Sequence, residues 1–383
     1  MAEIRVLDKH TAELIAAGEV VERPASVAKE LLENAIDAGA TQITLSAVRG
    51  GIQQLQIVDN GSGIEAEYID KAFIRHATSK IATAEDLGHI HTLGFRGEAL
   101  ASIASVARVE VLTRTEADEY ACCYRIEGGE ERGMEPGARP VGTTITVSDL
   151  FYNTPARMKF LKKDAAEGAA VFATVQRVAL SHPEVSVKFI RDGKQEMLTP
   201  GDGQLQSAVY SVLGRELALG FRPVKASGED MTVSGFVSLP TCCRGTRGYQ
   251  HFFVNGRYVK SKSLTAALED AYKNQIMVGR FPICVLHVTV APTAVDVNVH
   301  PAKTEVKFLR EGDVFDAIHY SVLGALSRAQ DRPEMQLKQP KPQVQPKQDF
   351  YQTVTAQEYR AMTGMLEKGT SAQPSEPVVR QFQ

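Results

Sequence analysis

The chain has 383 residues, of which 43% are hydrophobic and 23% charged, and its formal net charge of −3 neither supports nor excludes nucleic-acid binding. No apolar run approaches the roughly 20 residues of a membrane span, and the N-terminus lacks the apolar core of a signal peptide, so we expect a cytoplasmic protein without a membrane partner. Five cysteines without metal-ligand spacing predict reduced thiols rather than a zinc site.

The first predicted element is an amphipathic helix over residues 24–39. Its apolar residues recur at helical spacing, and a polar stripe of Glu30, Glu33, Asn34 and Asp37 occupies another face. Carboxylates at this spacing repel one another, and we expect no basic residue on the stripe to offset this. Asn34 offers a neutral oxygen to a hard cation such as Mg²⁺, and Glu30 could act on a neighbouring water. A solvated acidic face is the simpler interpretation of the helix taken alone.

An antiparallel pair of strands is predicted next, over residues 41–48 and 52–58, with a tight hairpin at Gly50-Gly51. The second strand ends in Asp59-Asn60-Gly61-Ser62-Gly63, where glycines let a backbone pass close to a flat ligand. Asp59 could accept a hydrogen bond from an exocyclic amine. The glycines formally fit a dinucleotide fingerprint, but no βαβ unit surrounds them, so a Rossmann domain is not predicted.

Two motifs in the next forty residues are typical of phosphate binding. A helix predicted over residues 68–77 leads into Thr78, Ser79 and Lys80, and a glycine-rich loop later opens a helix that reaches residue 105. Such a loop presents free N–H groups and the positive end of a helix dipole, and could form a mobile lid. A loop that needs glycines only to turn is the alternative. The loop consists of Gly94, Phe95, Arg96 and Gly97.

The rest of the first predicted domain, residues 1–200, alternates strands and helices. Strands are predicted over residues 106–113, 121–126, 142–147 and 185–190, and a helix over 165–180. The segment 128–140 is polar and rich in turn residues. Basic and aromatic residues interleave between 151 and 163, a pattern found at nucleic-acid contacts, although separate solvated basic side chains are the simpler alternative. The lysines of this segment are Lys159, Lys162 and Lys163.

A second, compact α+β domain is predicted over residues 203–330. Asn255-Gly256 predicts a type I′ hairpin turn, and a helix is predicted over residues 313–329. Lys303 follows Pro301, which fixes the backbone and could aim one cation outward. Residues 331–383 hold 6 of the 17 prolines and lack apolar periodicity, which predicts a disordered linker or tail with one short helical patch over residues 356–368.

Taken together, these motifs resemble the MutL/HexB family of DNA mismatch repair proteins, a branch of the GHKL ATPases. The resemblance covers about residues 1–330 and implies an α+β chain, with a GHKL (Bergerat) ATP-binding α/β sandwich. A smaller ribosomal-protein-like α+β domain with a left-handed βαβ crossover would follow. The motifs are AGEVVERP at 17–24, Glu30 with Asn34, DNGSG at 59–63, RHATSK at 75–80, GFRGEAL at 94–100 and NVHPAK at 298–303.

The resemblance also implies roles for the motif residues with ATP and Mg²⁺ as cofactors. Glu30 would be the general base and Asn34 the Mg²⁺ ligand. Asp59 would accept the adenine amine, with Gly63 close to the ring and Thr143 beside it. Lys303 would reach the γ-phosphate from the second domain and so couple hydrolysis to domain movement. The lid over the phosphates would consist of Thr78, Ser79, Lys80, Gly94, Phe95, Arg96 and Gly97.

Partners follow from the same resemblance. ATP binding would form a homodimer through residues up to about 21, and the slow ATPase would link MutS to a downstream nuclease or helicase. DNA would bind without sequence preference through Arg257 and Lys260 together with Lys159, Lys162 and Lys163. The endonuclease motif DQHAxxER of many bacterial members is absent from this sequence, so we expect no nuclease activity from it. A scaffold that binds nucleotide without hydrolysing it and another GHKL enzyme are the alternatives.

Overall fold

The computed structural model describes residues 17–18, 20–78, 80, 93–94, 97–296, 306–328 and 355–364. The chain divides into two compact units, residues 1–331 and 332–383. The second unit contributes one described helix, Ala356–Gly364, within the predicted helical patch. The rest of the predicted disordered tail lies outside the described residues. In the described part of the chain, no helix is both long enough and apolar enough to cross a membrane.

The first unit contains a mixed sheet of eight strands in the order β5-β4-β3-β6-β2-β1-β7-β8. Among these strands, β1 and β7 are parallel neighbours, and every other neighbouring pair is antiparallel. In chain order the strands are β1 (Gln42–Val48), β2 (Gln54–Asp59), β3 (Arg108–Arg114), β4 (Ala121–Glu127), β5 (Glu130–Gly137), β6 (Gly142–Ser148), β7 (Ser186–Arg191) and β8 (Lys194–Leu198).

Four helices accompany this sheet: α1 (Pro24–Asp37), α2 (Ala99–Val106), α3 (Pro155–Phe160) and α4 (Asp164–Ser181). Alternate residues of β1 are buried, so one face of the sheet is apolar and packs in a single cluster with α1, α2 and α4. The predicted first helix is confirmed, since Pro24 is its first residue and Gly39 follows it with a φ of 74°.

A five-stranded sheet in the order β12-β11-β13-β10-β9 follows in the same unit. β11 and β13 are parallel and are joined in sequence through α7, which forms a βαβ crossover. The elements are α5 (Leu205–Leu213), α6 (Arg215–Leu219), β9 (Phe221–Ser227), β10 (Met231–Ser238), β11 (Gln250–Val254), β12 (Arg257–Val259), α7 (Lys262–Ala271), β13 (Cys284–Val290), β14 (Val295–Asp296), β15 (Lys307–Phe308) and α8 (Glu311–Arg328), with β14 and β15 paired to each other.

The end of α4 joins the two sheets. Leu180 is fully buried in an apolar cluster with Phe253 and Val285 of the second sheet. Ser181 Oγ donates a hydrogen bond to the carbonyl oxygen of Gly256, which lies in the predicted type I′ turn. That turn is confirmed, because both of its residues, Asn255 and Gly256, have positive φ angles of 46° and 80°.

Several predicted elements differ from the structure. Residues 68–77 do not form an α-helix; two short 3-10 turns, Ala66–Tyr68 and Lys71–Phe73, take their place. Gly50-Gly51 is not a two-residue hairpin, because a 3-10 turn at Arg49–Gly51 delays β2 until Gln54. The polar segment 128–140 contains β5, an edge strand without a buried residue. Strands β8 and β9 also escaped prediction.

Candidate active site

The polar stripe of α1 carries its own cation. Nζ of Lys29 lies 3.1 Å from Oε1 of Glu30 and 3.1 Å from Oε1 of Glu33. Burial alone would lower the pKa of Lys29, but the charges of Glu33 and Glu30 outweigh burial and raise it. The expectation that no basic residue offsets the stripe is therefore wrong. Lys29 lies beside the stripe in the helical pattern, and its long stem brings the ammonium group back to the carboxylates.

One carboxylate at the end of α1 gathers three predicted site residues. Asp37, whose side chain is 7% exposed, accepts a hydrogen bond through Oδ2 from Lys80 Nζ at 2.5 Å. It also accepts hydrogen bonds from the backbone N–H groups of Leu93 at 2.9 Å and Gly94 at 3.0 Å. The same Nζ lies 3.3 Å from Oδ1 of Asn34. The structure thus brings Asn34, Lys80 and Gly94 together. Asp37 was not selected as a site residue, although its position one turn after Asn34 is a usable signal.

The other described residues of the predicted lid lie beside this group. Thr78 Oγ1 accepts a hydrogen bond from the backbone N–H of Lys80 at 3.1 Å. His76 donates its backbone N–H to the carbonyl oxygen of Gly97 at 3.0 Å, and a Cβ at Gly97 would meet the carbonyl oxygen of Ala77 at 2.3 Å. The segments ending at residue 78 and beginning at residue 97 are therefore in contact. Four predicted site residues, Ser79, Phe95, Arg96 and Lys303, lie outside the described residues.

Asp59 closes β2 as a buried acceptor. Its side-chain Oδ1 accepts hydrogen bonds from the backbone N–H of Gly61 at 2.8 Å and of Thr143 at 3.3 Å. Within the described part of the chain, Oδ2 makes no hydrogen bond. Burial raises the pKa of Asp59, although both backbone hydrogen bonds act in the opposite direction. One oxygen is therefore fixed by the fold, and the other remains able to accept a hydrogen bond from a ligand.

A hydroxyl pair supports the same end of the sheet. Oγ1 of Thr143 lies 3.2 Å from Oγ1 of Thr113, which also accepts a hydrogen bond from the backbone N–H of Ile64 at 2.8 Å. Gly63 has a φ of 78°, and a Cβ there would lie 2.3 Å from the carbonyl oxygen of Arg114. The fold itself therefore requires glycine at this position, whether or not a flat ligand also approaches it.

The loop after β2 contacts the end of α1 directly. The backbone N–H of Ser62 donates to the carbonyl oxygen of Ala38 at 2.9 Å, and a Cβ at Gly61 would lie 2.9 Å from that same oxygen. The loop that follows Asp59 and the C-terminal end of α1 are therefore in direct backbone contact. Asp59 and Asn34, which are 25 residues apart in the sequence, thus lie on segments that contact each other.

The two predicted DNA-binding groups lie at opposite ends of α4. Lys163 immediately precedes the helix, whereas the last residue of the helix, Ser181, bonds to the hairpin that carries Arg257. Eighteen residues at 1.5 Å each separate the ends by about 27 Å. Lys159, Lys162, Lys163 and Lys260 are exposed.

The surroundings of the two groups differ. A cavity of about 750 Å³ adjoins the lysine group and is lined by Arg49, Arg108, Tyr152 and Lys162 among others. The side chain of Arg257 is only partly exposed. Burial lowers its pKa, and the negative charges of Glu33, Asp37 and Glu30 oppose this effect. The charges of the polar stripe of α1 therefore act on Arg257, which lies beside the hairpin turn.

Two family models match the chain. Residues 22–135 match the family described as histidine kinase-, DNA gyrase B- and HSP90-like ATPase. Residues 209–327 match the family described as DNA mismatch repair protein, C-terminal domain. The first match includes α1 and the loop after β2, and the second includes the five-stranded sheet and α8.

Curated relatives match over most of the chain. A DNA mismatch repair protein MutL from Agathobacter rectalis is 45% identical over 335 residues, which make up 88% of this chain and 52% of the relative. A MutL from Desulforamulus reducens is 46% identical over 328 residues, or 85% of this chain and 50% of the relative. A HexB from Streptococcus pneumoniae is 41% identical over 383 residues, or 100% of this chain and 59% of the relative. The chain spans about half the length of the curated relatives it matches.

Two solved structures share the fold of this chain. The N-terminal domain of a DNA repair protein superposes with a TM-score of 0.70 at 27% identity, covering 83% of this chain and 98% of that one. The Aquifex aeolicus MutL ATPase domain complexed with ADP superposes with a TM-score of 0.56 at 28% identity, covering 71% of this chain and 94% of that one.

Proposed function

The chain belongs to the MutL/HexB family of DNA mismatch repair proteins, and from this premise we propose that it binds and hydrolyses ATP at the site between α1 and β2. Its GHKL-type fold, with a second α+β module, is the one expected from the sequence and is confirmed. The convergence of Asn34, Lys80 and Gly94 at the end of α1 supports the proposal most directly. Phosphate-binding groups and a metal ligand would there share one cleft with the acceptor Asp59.

The donor set at the end of α1 fits a magnesium ion. Oδ1 of Asn34 and Oδ2 of Asp37 both face the ammonium group of Lys80, so two oxygens already converge on a cation. Mg²⁺ is typically held by one or two protein oxygens, with phosphates and water completing its shell. When bound, the ion would neutralise charge on the phosphates. Asn34 would be its protein ligand, and Lys80 would hold a phosphate oxygen.

Glu30 is the proposed general base. Its Oε1 accepts a hydrogen bond from Lys29 Nζ at 3.1 Å, whereas Oε2 makes no hydrogen bond among the described residues. Lys29 would therefore orient the carboxylate and leave one oxygen for the proton of the attacking water. A base fixed by a third group in this way is a recurring arrangement in hydrolytic sites.

The adenine end would be held by Asp59. Its free Oδ2 would accept a hydrogen bond from the adenine amine, while Gly61 and Thr143 fix Oδ1. Thr143 would line the same wall, and Gly63 would let the base lie close to the backbone. Lys303, carried by the second module, would contact the γ-phosphate, as the family resemblance implies.

Hydrolysis is tested by replacing the base. Glu30→Ala should reduce phosphate release by about 10²- to 10⁴-fold, the usual contribution of a general base, while ATP still binds. Glu65→Ala removes an exposed carboxylate from the loop after β2 and serves as the control. A wild-type chain that binds ATP without releasing phosphate would instead support a non-hydrolysing scaffold.

DNA binding is proposed through the basic residues at both ends of α4. A span of about 27 Å matches roughly eight base pairs at 3.4 Å each, so one duplex could contact both groups. Contacts to phosphate would make binding independent of sequence and strongly dependent on salt. Replacing Lys159, Lys162 and Lys163 by glutamine should weaken binding and make the negative slope of log K against log salt shallower by about 3, with Lys194→Gln as the control.

The wider role in repair rests on the family. We propose a switch in which ATP binding drives dimerisation and links MutS to a downstream nuclease or helicase. The proposed domains are residues 1–200, which bind ATP, and residues 203–330, which form the second α+β module. Sedimentation with a non-hydrolysable ATP analogue should double the mass of the sedimenting species. An unchanged mass would rule out the ATP-driven dimer and leave nucleotide binding intact.

A further inference from the structure

Lys80 contacts two side chains of the candidate site, in addition to its proposed contact with phosphate. Its Nζ lies between a carboxylate oxygen of Asp37 and the amide oxygen of Asn34, at 2.5 Å and 3.3 Å. The side chain of Lys80 is 22% exposed and that of Asp37 is 7% exposed. The ammonium group is therefore held within the protein surface rather than in solvent.

Asp37 is bound so tightly that its position is fixed. Besides Lys80, it accepts hydrogen bonds from the backbone N–H groups of Leu93 and Gly94, one on each carboxylate oxygen. A buried carboxylate needs such partners, because burial without a counter-charge is strongly unfavourable. Lys80 supplies a full positive charge in direct contact with this carboxylate.

The oxygen of Asn34 cannot serve two cations at once. A magnesium ion binds its oxygen ligands at about 2.0–2.1 Å, and an ammonium group on the same oxygen would then stand next to a double positive charge. At that separation like charges repel strongly in a partly buried site. The ammonium group and the metal ion are therefore alternatives at Asn34.

We propose that Lys80 stands in for the divalent cation while no nucleotide is bound, and that Asp37 is the residue that positions it against Asn34. The inference rests on the proposed nucleotide site and adds a role for the empty state. Lys80 keeps the oxygens of the cleft paired, and it withholds Asn34 from free metal ions. Metal then enters together with nucleotide, because a phosphate oxygen gives the ammonium group another partner.

The direct probe is Mn²⁺ alone, followed through the loss of the free-ion electron paramagnetic resonance signal on the nucleotide-free chain. Lys80→Met removes the competing charge and opens the oxygens of Asn34 and Asp37. We expect it to bind Mn²⁺ about tenfold more tightly than the wild type or better, comparable to the effect of one nearby charge on proton affinity. Adding Asp37→Asn to this variant should abolish the gain.

The controls separate this role from folding and from general surface charge. Lys71→Met removes an exposed lysine whose Nζ lies 4.6 Å from the ring of Tyr68, and it should leave Mn²⁺ binding unchanged. Lys80→Gln provides a second neutral variant that can still donate a hydrogen bond to Asp37. Its gain should match that of Lys80→Met, since the proposal depends on charge. Equal Mn²⁺ affinity in the wild type and in both neutral variants would overturn the proposal.

The outcome is independent of hydrolysis. Binding of a fluorescent ATP analogue in the presence of Mg²⁺ tests the proposed function in the same preparations. A wild-type chain that fails to bind the analogue would contradict the nucleotide site, whereas the Mn²⁺ titration would still decide whether Lys80 holds the cation position.

Discussion

Replacing Asp59 by asparagine should separate function from stability. Burial raises the pKa of this carboxyl in the folded chain, so folding favours its protonated form. The stability that the group contributes is fully present below the pKa of the unfolded chain and is lost as the pH rises through the folded pKa. At pH 7 the carboxylate thus carries a cost that a neutral amide of the same shape would not carry.

The structure sets the expected magnitudes. The side-chain oxygen of asparagine can still accept the hydrogen bonds from Gly61 and Thr143, so the backbone remains satisfied. The unfolding free energy of Asp59→Asn at pH 7 should therefore equal or exceed that of the wild type, or fall short by no more than about 1 kcal/mol. The amide nitrogen, however, would face the adenine amine as a second donor. Loss of a hydrogen bond to a charged acceptor costs about 1.5–3 kcal/mol, or about 10- to 150-fold in ATP affinity.

Urea unfolding at pH 7 and titration with a fluorescent ATP analogue measure the two quantities on the same samples. Asp192→Asn is a suitable control, because Asp192 is an exposed turn residue that accepts a hydrogen bond from the backbone N–H of Arg49. Its ATP affinity should stay unchanged. Unaltered ATP affinity in Asp59→Asn would refute the assignment of Asp59 to the adenine, and a stability loss of several kcal/mol would refute the account of its burial.

Three further substitutions test the fold that supports the site. The side chain of Glu167 is 1% exposed and accepts two hydrogen bonds from Arg23. Glu167→Gln should lower the unfolding free energy by about 3 kcal/mol. This is the low end of the cost of breaking a buried ion pair, because Arg23 is one-third exposed. Burial alone would raise the pKa of Glu167, but the bonds from Arg23 and from the backbone N–H of Lys162 outweigh burial and lower it. The stability from these contacts should therefore be lost as the pH falls through the folded pKa, which urea unfolding across pH will show. Gly39→Ala meets no atom within 4 Å and should cost about 1–2 kcal/mol for its left-handed backbone; Gly63→Ala should cost clearly more in thermal unfolding, because its Cβ would strike the carbonyl oxygen of Arg114. Equal costs for the two glycines would contradict this reading.

The sequence predicts the position of a helix or strand well where one face of that element is buried. The helix α1 and the strands β1 and β7 have a buried face, and their apolar spacing gives their position within one or two residues. The strand β5 has no such face, because every side chain from Glu130 to Pro136 is exposed at the edge of the sheet. No apolar alternation marks it, so its polar residues indicate turns and not a strand.

Sequence patterns also indicate only some of the residues of the candidate site. Helical spacing indicates Glu30 and Asn34, and the strand-end motif DNGSG indicates Asp59. The partners that fix them were missed. Lys29 reaches back across the helix surface, and Asp37 acts through a lysine 43 residues further along the chain. Lys29 and Glu33 are an i,i+4 pair, which helical spacing could have indicated. The pairing of Asp37 with Lys80 depends on tertiary distance, which local spacing does not encode.

The apolar cluster at the end of α4 bears on how the molecule can be dissected. Leu180 contributes to it from the first sheet's helix, while Phe253, Ile283 and Val285 contribute from beyond residue 200. A protease nick between residues 199 and 204 would therefore cut the peptide without releasing two independent pieces. A fragment that ends there would expose the apolar end of α4 and would be prone to self-association.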